Sequence, residues 1–136
     1  MRKLENFSNC LKELKSADFE MAGKDNIYRM GIIGQFNLAF ELAWKALQAV
    51  LRIHGVQNAE TGSPREILQL GYRMGFIDDA DVWLLMLKKR NISIHIYDED
   101  EVSETLILIK ERFIPTFNKL ETTLSEKIKE TENDWK

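Results

Sequence analysis

The stretch from Lys88 to Asp98 holds the densest group of residues in this chain that can do chemistry. Four polar groups occur within it, namely the guanidinium of Arg90, the amide of Asn91, the imidazole of His95 and the phenol of Tyr97. Arginine neutralises a phosphate through paired hydrogen bonds, and histidine transfers protons near neutral pH. Together the two side chains suit phosphodiester cleavage without a metal.

Helical geometry complicates a direct partnership between these residues. Each residue of an ideal helix advances by about 100°, so Arg90 and His95 lie about 140° apart, whereas Asn91 and His95 share a face. Two arrangements resolve the problem. Either the helix ends or distorts near His95, or a second subunit completes the site across a two-fold axis.

Purely structural roles also account for the same residues on spacing alone. Arg90 can pair with a glutamate of a neighbouring helix, His95 can cap carbonyl groups at a helix end, and Tyr97 can pack inside the fold. Glu41 interrupts an apolar stretch. It either points into a pocket or lies on a solvated or salt-bridged face. Lys89 and Glu41 are the candidate substrate-binding residues.

Composition restricts the class of protein and its partners. The 136 residues are 44% hydrophobic and 30% charged, as in an ordinary globular domain. Because 19 basic residues face 22 acidic ones, for a net charge of -3, any contact with nucleic acid must be local. One cysteine and no Cys/His cluster predict no metal, no cofactor and a reducing cytoplasmic location. The most apolar stretch, 38–51, is too short and too charged to cross a membrane.

Apolar residues recur at alternating steps of three and four, which is the period of an α-helix. The first such run extends from Leu4 to Leu14, and a longer one extends from Ile33 to Leu51. The helix that the longer run predicts ends at His54. We interpret His54 as a helix C-terminal residue rather than a ligand. Trp44, in the second run, and Trp83, further along the chain, are predicted core residues.

Capping residues place the remaining helices. Ser63, followed by proline and, three positions on, by glutamate, predicts the start of a short helix. Asp78 and Asp79 can cap a fourth helix, and the acidic run 98–101 suits the start of a last helix that continues to Ile128. Pro115 should kink it. The expected fold is an all-α, antiparallel four-helix-type bundle with a short extra helix, a single domain over 1–136 with 129–136 frayed.

Four blocks of this sequence resemble the HEPN superfamily (higher eukaryotes and prokaryotes nucleotide-binding domain). The closest similarity is to its nucleotidyltransferase substrate-binding protein branch. The block from Arg90 to Tyr97 has the superfamily's pattern of arginine, four residues, histidine, one residue and tyrosine. The other three blocks precede it in order, at Gln35 to Lys45, Ser63 to Glu66, and Trp83-Leu84. The resemblance covers nearly the whole chain.

The resemblance implies a homodimeric bundle that forms a complex with a small nucleotidyltransferase encoded beside it. One function it implies is a metal-independent ribonuclease toxin that the partner silences; the alternative is a non-catalytic subunit that binds a nucleotide or substrate for the partner. By the same resemblance Arg90 and His95 would be the ribonuclease pair, and Asn91 the polar residue that follows the arginine. Tyr97 would accept adenylyl groups from the partner.

Overall fold

The computed structural model consists of α-helices joined by short turns. It describes residues 1–93 and 98–133, without the side chains of 91–93 and 133, and these residues contain no β-strand. The helices are α1 (Arg2–Lys15), α2 (Phe19–Ala22), α3 (Asn26–Ile53), α4 (Pro64–Arg73), α5 (Ala80–Ser93), α6 (Glu99–Leu108) and α7 (Ile114–Asn133). A π-helical segment, Ile109–Phe113, joins α6 to α7. The predicted all-α class is confirmed.

Side-chain caps start several helices where the sequence predicts them. The Ser63 hydroxyl accepts a hydrogen bond from the Glu66 N–H at 3.2 Å, and the Glu66 carboxylate accepts one from the Ser63 N–H at 3.1 Å. This capping box lowers the pKa of Glu66, chiefly through the bond from the Ser63 backbone. At α6 the Asp98 carboxylate accepts from the Asp100 N–H at 2.9 Å. Asp78 instead accepts a bond from the Lys119 ammonium of α7 at 2.9 Å.

The central helix α3 begins earlier than its apolar pattern predicts. The Asp25 carboxylate accepts hydrogen bonds from the Ile27 and Tyr28 N–H groups at 2.9 and 3.1 Å, so the chain becomes helical before the first residue of the apolar run, Ile33. A one-turn helix, α2, precedes α3 and is capped in the same way by Asp18. Four residues are too few to show a helical period, so the sequence pattern does not reveal α2.

A cluster of aromatic rings holds the long helices together. Phe36 of α3 stacks on Phe113 of the π-helical segment, with ring centroids 5.1 Å apart. Phe117 of α7 meets Phe7 of α1 edge to face at 5.8 Å, and it meets Trp83 of α5 in the same way at 5.7 Å. All five side chains are fully buried. Trp83 also lies against Phe40 of α3, with ring centroids 6.3 Å apart, and this packing fixes α5, which carries the candidate catalytic arginine, against α3.

The predicted last helix begins where the sequence places it, but it is interrupted before Pro115 and continues past Ile128. The π-helical segment lies directly before Pro115, which lacks an N–H and crowds the carbonyl four residues earlier, so the regular α-helical ladder cannot pass through it. α7 continues as far as Asn133, past residue 129, from which the sequence predicts fraying. A ring nitrogen of His54, at the end of α3, donates to the Lys127 carbonyl at 2.8 Å and ties α7 down. No described helix is long and apolar enough to span a membrane.

Candidate functional site

Arg90 lies in the last turn of α5, and two consecutive residues of α3 hold its guanidinium. Its Nη1 donates a hydrogen bond to Oε2 of Glu41 at 3.1 Å, and its guanidinium carbon lies 5.3 Å from the centroid of the Phe40 ring. The side chain of Arg90 is 22% exposed. A charged group at a protein surface is thereby held in one place, as recognition of a phosphate requires.

Glu41 is itself held from a second direction. The oxygen that accepts from Arg90 also accepts the indole N–H of Trp44 at 2.9 Å. Of the alternatives that the sequence leaves for Glu41 and Arg90, the structure shows the pair between neighbouring helices. Trp44 is only partly buried and packs against the edge of the core, whereas Trp83 lies fully in the core as predicted. The spacing of Glu41 and Trp44 by three residues on one helix is the signal that could have revealed their contact.

Lys89, the residue before Arg90, points toward a different helix. Its ammonium lies 2.7 Å from Oε1 of Glu101 and 3.1 Å from Oε1 of Glu104, both in α6. Burial by itself lowers the pKa of such an ammonium, but the hydrogen bonds and charges of the two carboxylates outweigh burial and raise the pKa of Lys89. The charge of Lys89 is thus paired inside the protein.

The remaining predicted site residues lie at or beyond the edge of the described chain. Asn91 belongs to the last turn of α5, but its side chain lies outside the described residues, and so do His95 and Tyr97. A partnership between Arg90 and His95 stays a prediction. Within 1–93 and 98–133, no three His, Cys, Asp or Glu side chains are grouped so that they could hold a metal ion.

One face of α3 beside the Arg90 site is exposed and apolar. Ile27 is 87% exposed and Leu38 is 50% exposed, and Gly31 and Gly34 between them have no other atoms near the position of a Cβ. These residues follow one another at steps of four, three and four, so they share one side of the helix. Three residues further on lies Glu41, the partner of Arg90. We refer to Ile27, Gly31, Gly34 and Leu38 as the exposed α3 face.

By fold, the chain is a helical bundle of the kind seen in two solved structures. The first is HI0074 of Haemophilus influenzae, described as revealing the fold of a substrate binding domain of a nucleotidyltransferase; the TM-score is 0.78 at 20% identity, over 90% of this chain and 98% of that one. The second is a protein of Thermus thermophilus, with a TM-score of 0.64 at 27% identity, over 88% of this chain and 96% of that one.

The family model described as "Nucleotidyltransferase substrate binding protein like" matches residues 2–126, and the chain belongs to this family. The similarity to the HEPN branch that the sequence motifs indicate is therefore confirmed. A curated relative, "Probable ribonuclease HepT" of Haemophilus influenzae, is 29% identical over 73 residues, which are 52% of this chain and 50% of the relative. The match thus spans about half the length of that relative.

Proposed function

We propose that this protein is a HEPN-type subunit that pairs with a small nucleotidyltransferase in a two-gene, toxin–antitoxin-like module. Acting alone, it cleaves RNA without a metal, and the partner neutralises it. The observation that carries the proposal is the fixed guanidinium of Arg90, held by Glu41 and Phe40 at the end of the helix that leads into the motif with His95. The similarity to a probable ribonuclease supports the same function.

The chemistry divides between two side chains. His95 exchanges a proton with the ribose 2′-hydroxyl or with the leaving oxygen, and Arg90 stabilises the negative charge that builds on the phosphate. Asn91 supplies a polar group beside them. Because DNA lacks the 2′-hydroxyl, RNA is cut and DNA of the same sequence is spared.

Cleavage assays on the purified chain test this function. We expect wild-type protein to cut RNA in the presence of a chelator, and we expect His95→Ala and Arg90→Met to lose that activity. Lys88→Met is the matched control, since Lys88 is an exposed cation of the same helix. Cleavage that persists in His95→Ala, or that the chelator abolishes, would contradict the proposal.

The alternative function is a non-catalytic subunit that binds a nucleotide or substrate for the nucleotidyltransferase. The description of the matching family and the description of HI0074 as a substrate binding domain favour it. In this case purified protein leaves RNA intact and binds a nucleoside triphosphate or the partner tightly. Titration calorimetry with ATP, alone and with the partner present, separates it from the ribonuclease.

We further propose that the protein is a homodimer that buries the exposed α3 face together with the edge of the Arg90 site. An apolar strip with bare glycines lets a second helix approach closely, and arginine is common at the centres of interfaces. We expect Leu38→Lys to produce a monomer in sedimentation. The control Ile107→Lys, at a 57% exposed residue of α6, should leave the dimer intact. A monomeric wild-type protein at micromolar concentration would refute the dimer.

Tyr97 is the proposed site at which the partner adds adenylyl groups. An AMP group there would place a phosphate and a base near Arg90 and compete with RNA for the guanidinium. Co-expression with the neighbouring nucleotidyltransferase, followed by intact-mass measurement, tests this. AMP-sized additions that disappear in Tyr97→Phe support modification, whereas an unmodified chain that the partner still inhibits shows that binding alone neutralises it.

A further inference from the structure

Lys89 is the most buried charged residue among those that the structure describes, at 5% exposure. Its ammonium contacts Glu101 at 2.7 Å and Glu104 at 3.1 Å. Both carboxylates belong to the first two turns of α6, and Glu101 is itself only 25% exposed. The contact therefore joins the end of α5 to the beginning of α6.

Lys89 and Arg90 are consecutive, so on an α-helix their side chains point about 100° apart. Arg90 reaches Glu41 of α3, and Lys89 reaches Glu101 of α6. The last turn of α5 is thereby attached to two different helices by two ion pairs. Neither α3 nor α6 can move relative to this turn without breaking its ion pair.

In the sequence, α5 with Lys89 and Arg90 precedes residues 94–97, the stretch that contains His95 and Tyr97, and α6 with Glu101 follows it. Before the stretch, Arg90 anchors α5. After it, the Asp98 cap and the pair between Lys89 and Glu101 anchor the first turn of α6. A further ion pair joins Arg29 of α3 to the largely exposed Glu99 of the same turn at 3.5 Å. These contacts therefore hold the last turn of α5 and the first turn of α6 in place relative to each other.

We propose that Lys89 is a positioning residue, which sets where the chain that carries His95 lies relative to Arg90. Two carboxylates already pair with the ammonium of Lys89, so its hydrogen bonds are directed to Glu101 and Glu104 within the protein. This role replaces the substrate-binding role that the sequence suggests for Lys89. It rests on the proposed ribonuclease function, in which His95 and Arg90 act on one phosphate.

The test combines kinetics with hydrogen exchange on the full-length protein. Lys89→Met keeps the length of the side chain and removes its charge. Glu101→Gln weakens the ion pair between Lys89 and Glu101 by removing the charge of its more exposed partner. Lys88→Met is the matched control. The two measurements are kcat and KM for RNA cleavage, and the amide exchange rate of peptides that cover α6 (Glu99–Leu108).

We expect Lys89→Met and Glu101→Gln to lower kcat by about 10²-fold at an unchanged KM, since a small misplacement of a catalytic group costs about that much. We also expect exchange in α6 to quicken by about tenfold, because a hydrogen bond to a charged group is worth at least a decade in an equilibrium constant. Lys88→Met should change neither. Lys89→Arg, which keeps the charge, should recover much of the kcat.

Two results would overturn the role. One is unchanged exchange in α6 of both variants, since the contact would then not hold the helix. The other is a raised KM with unchanged kcat, because this shows that Lys89 binds substrate. If wild-type protein does not cut RNA, the ribonuclease proposal fails, and with it the catalytic role of Lys89. The exchange measurement then decides separately whether Lys89 holds α6.

Discussion

The ion pair between Glu41 and Arg90 should contribute measurably to stability because both partners are partly buried. Their exposed fractions are 37% and 22%, and the charged hydrogen bond between them is 3.1 Å long. Fully exposed pairs contribute about 0.2–1 kcal/mol, whereas hydrogen bonds to charged groups contribute about 1.5–3 kcal/mol. Discounted for the remaining solvent exposure, we expect a coupling energy of about 1–1.5 kcal/mol.

A double-mutant cycle measures this coupling. Glu41→Gln keeps an acceptor for the Trp44 indole and removes the charge, and Arg90→Met keeps apolar contact with Phe40. The free energy of unfolding is measured by urea titration for the wild type, both single variants and the double variant. The coupling energy is the difference that remains after the two single effects are added.

The pair between Asp78 and Lys119 provides the control. Its distance is shorter, at 2.9 Å, but the two side chains are 77% and 59% exposed. If burial decides the strength of an ion pair, the cycle with Asp78→Asn and Lys119→Met shows a smaller coupling than the cycle with Glu41 and Arg90. A coupling for Glu41 and Arg90 no larger than that of the control pair would refute the reasoning. Raising the salt concentration should weaken the control pair first.

Two further predictions concern the core. Burial, with a smaller effect of the Glu13 charge, raises the pKa of the Cys10 thiol from 9.0 to about 11. The thiol ionises at lower pH in the unfolded chain than in the folded one, so the stability of the wild type falls as the pH rises from about 9 to about 11. The urea midpoint of Cys10→Ala should fall less over this range. An equal fall of the midpoint with pH in both proteins would contradict this. A Cβ on Gly71 would lie 2.9 Å from Leu47, which is fully buried. Gly71→Ala should therefore lose about 1 kcal/mol or more in urea titration despite its better helix propensity, and an unchanged or higher urea midpoint would contradict the clash.

Local chemistry along the chain was sufficient to predict most of the helices. A capping box at Ser63 and a cap at Asp98 act within a few residues, so both can be read from the sequence. The early start of α3 could not be predicted from the sequence in this way, because Gly31 and Gly34 lower the helix propensity of its first turns. Helix forms there because Asp25 caps it and because the buried residue Ile32 packs against the core.

In the candidate site, too, some features follow from the sequence and others only from the tertiary structure. The order of Arg90, Asn91, His95 and Tyr97, and with it the similarity to the HEPN superfamily, is visible in the sequence alone. Helical period shows that Lys89 and Arg90 face different directions, but it does not show which helix each one meets. The partner of Arg90 lies 49 positions away, in α3, and that of Lys89 lies across the connection to α6. Only the packing of whole helices brings such groups together, so the tertiary structure decided that Arg90 is held by Glu41 and that Lys89 is buried between two carboxylates.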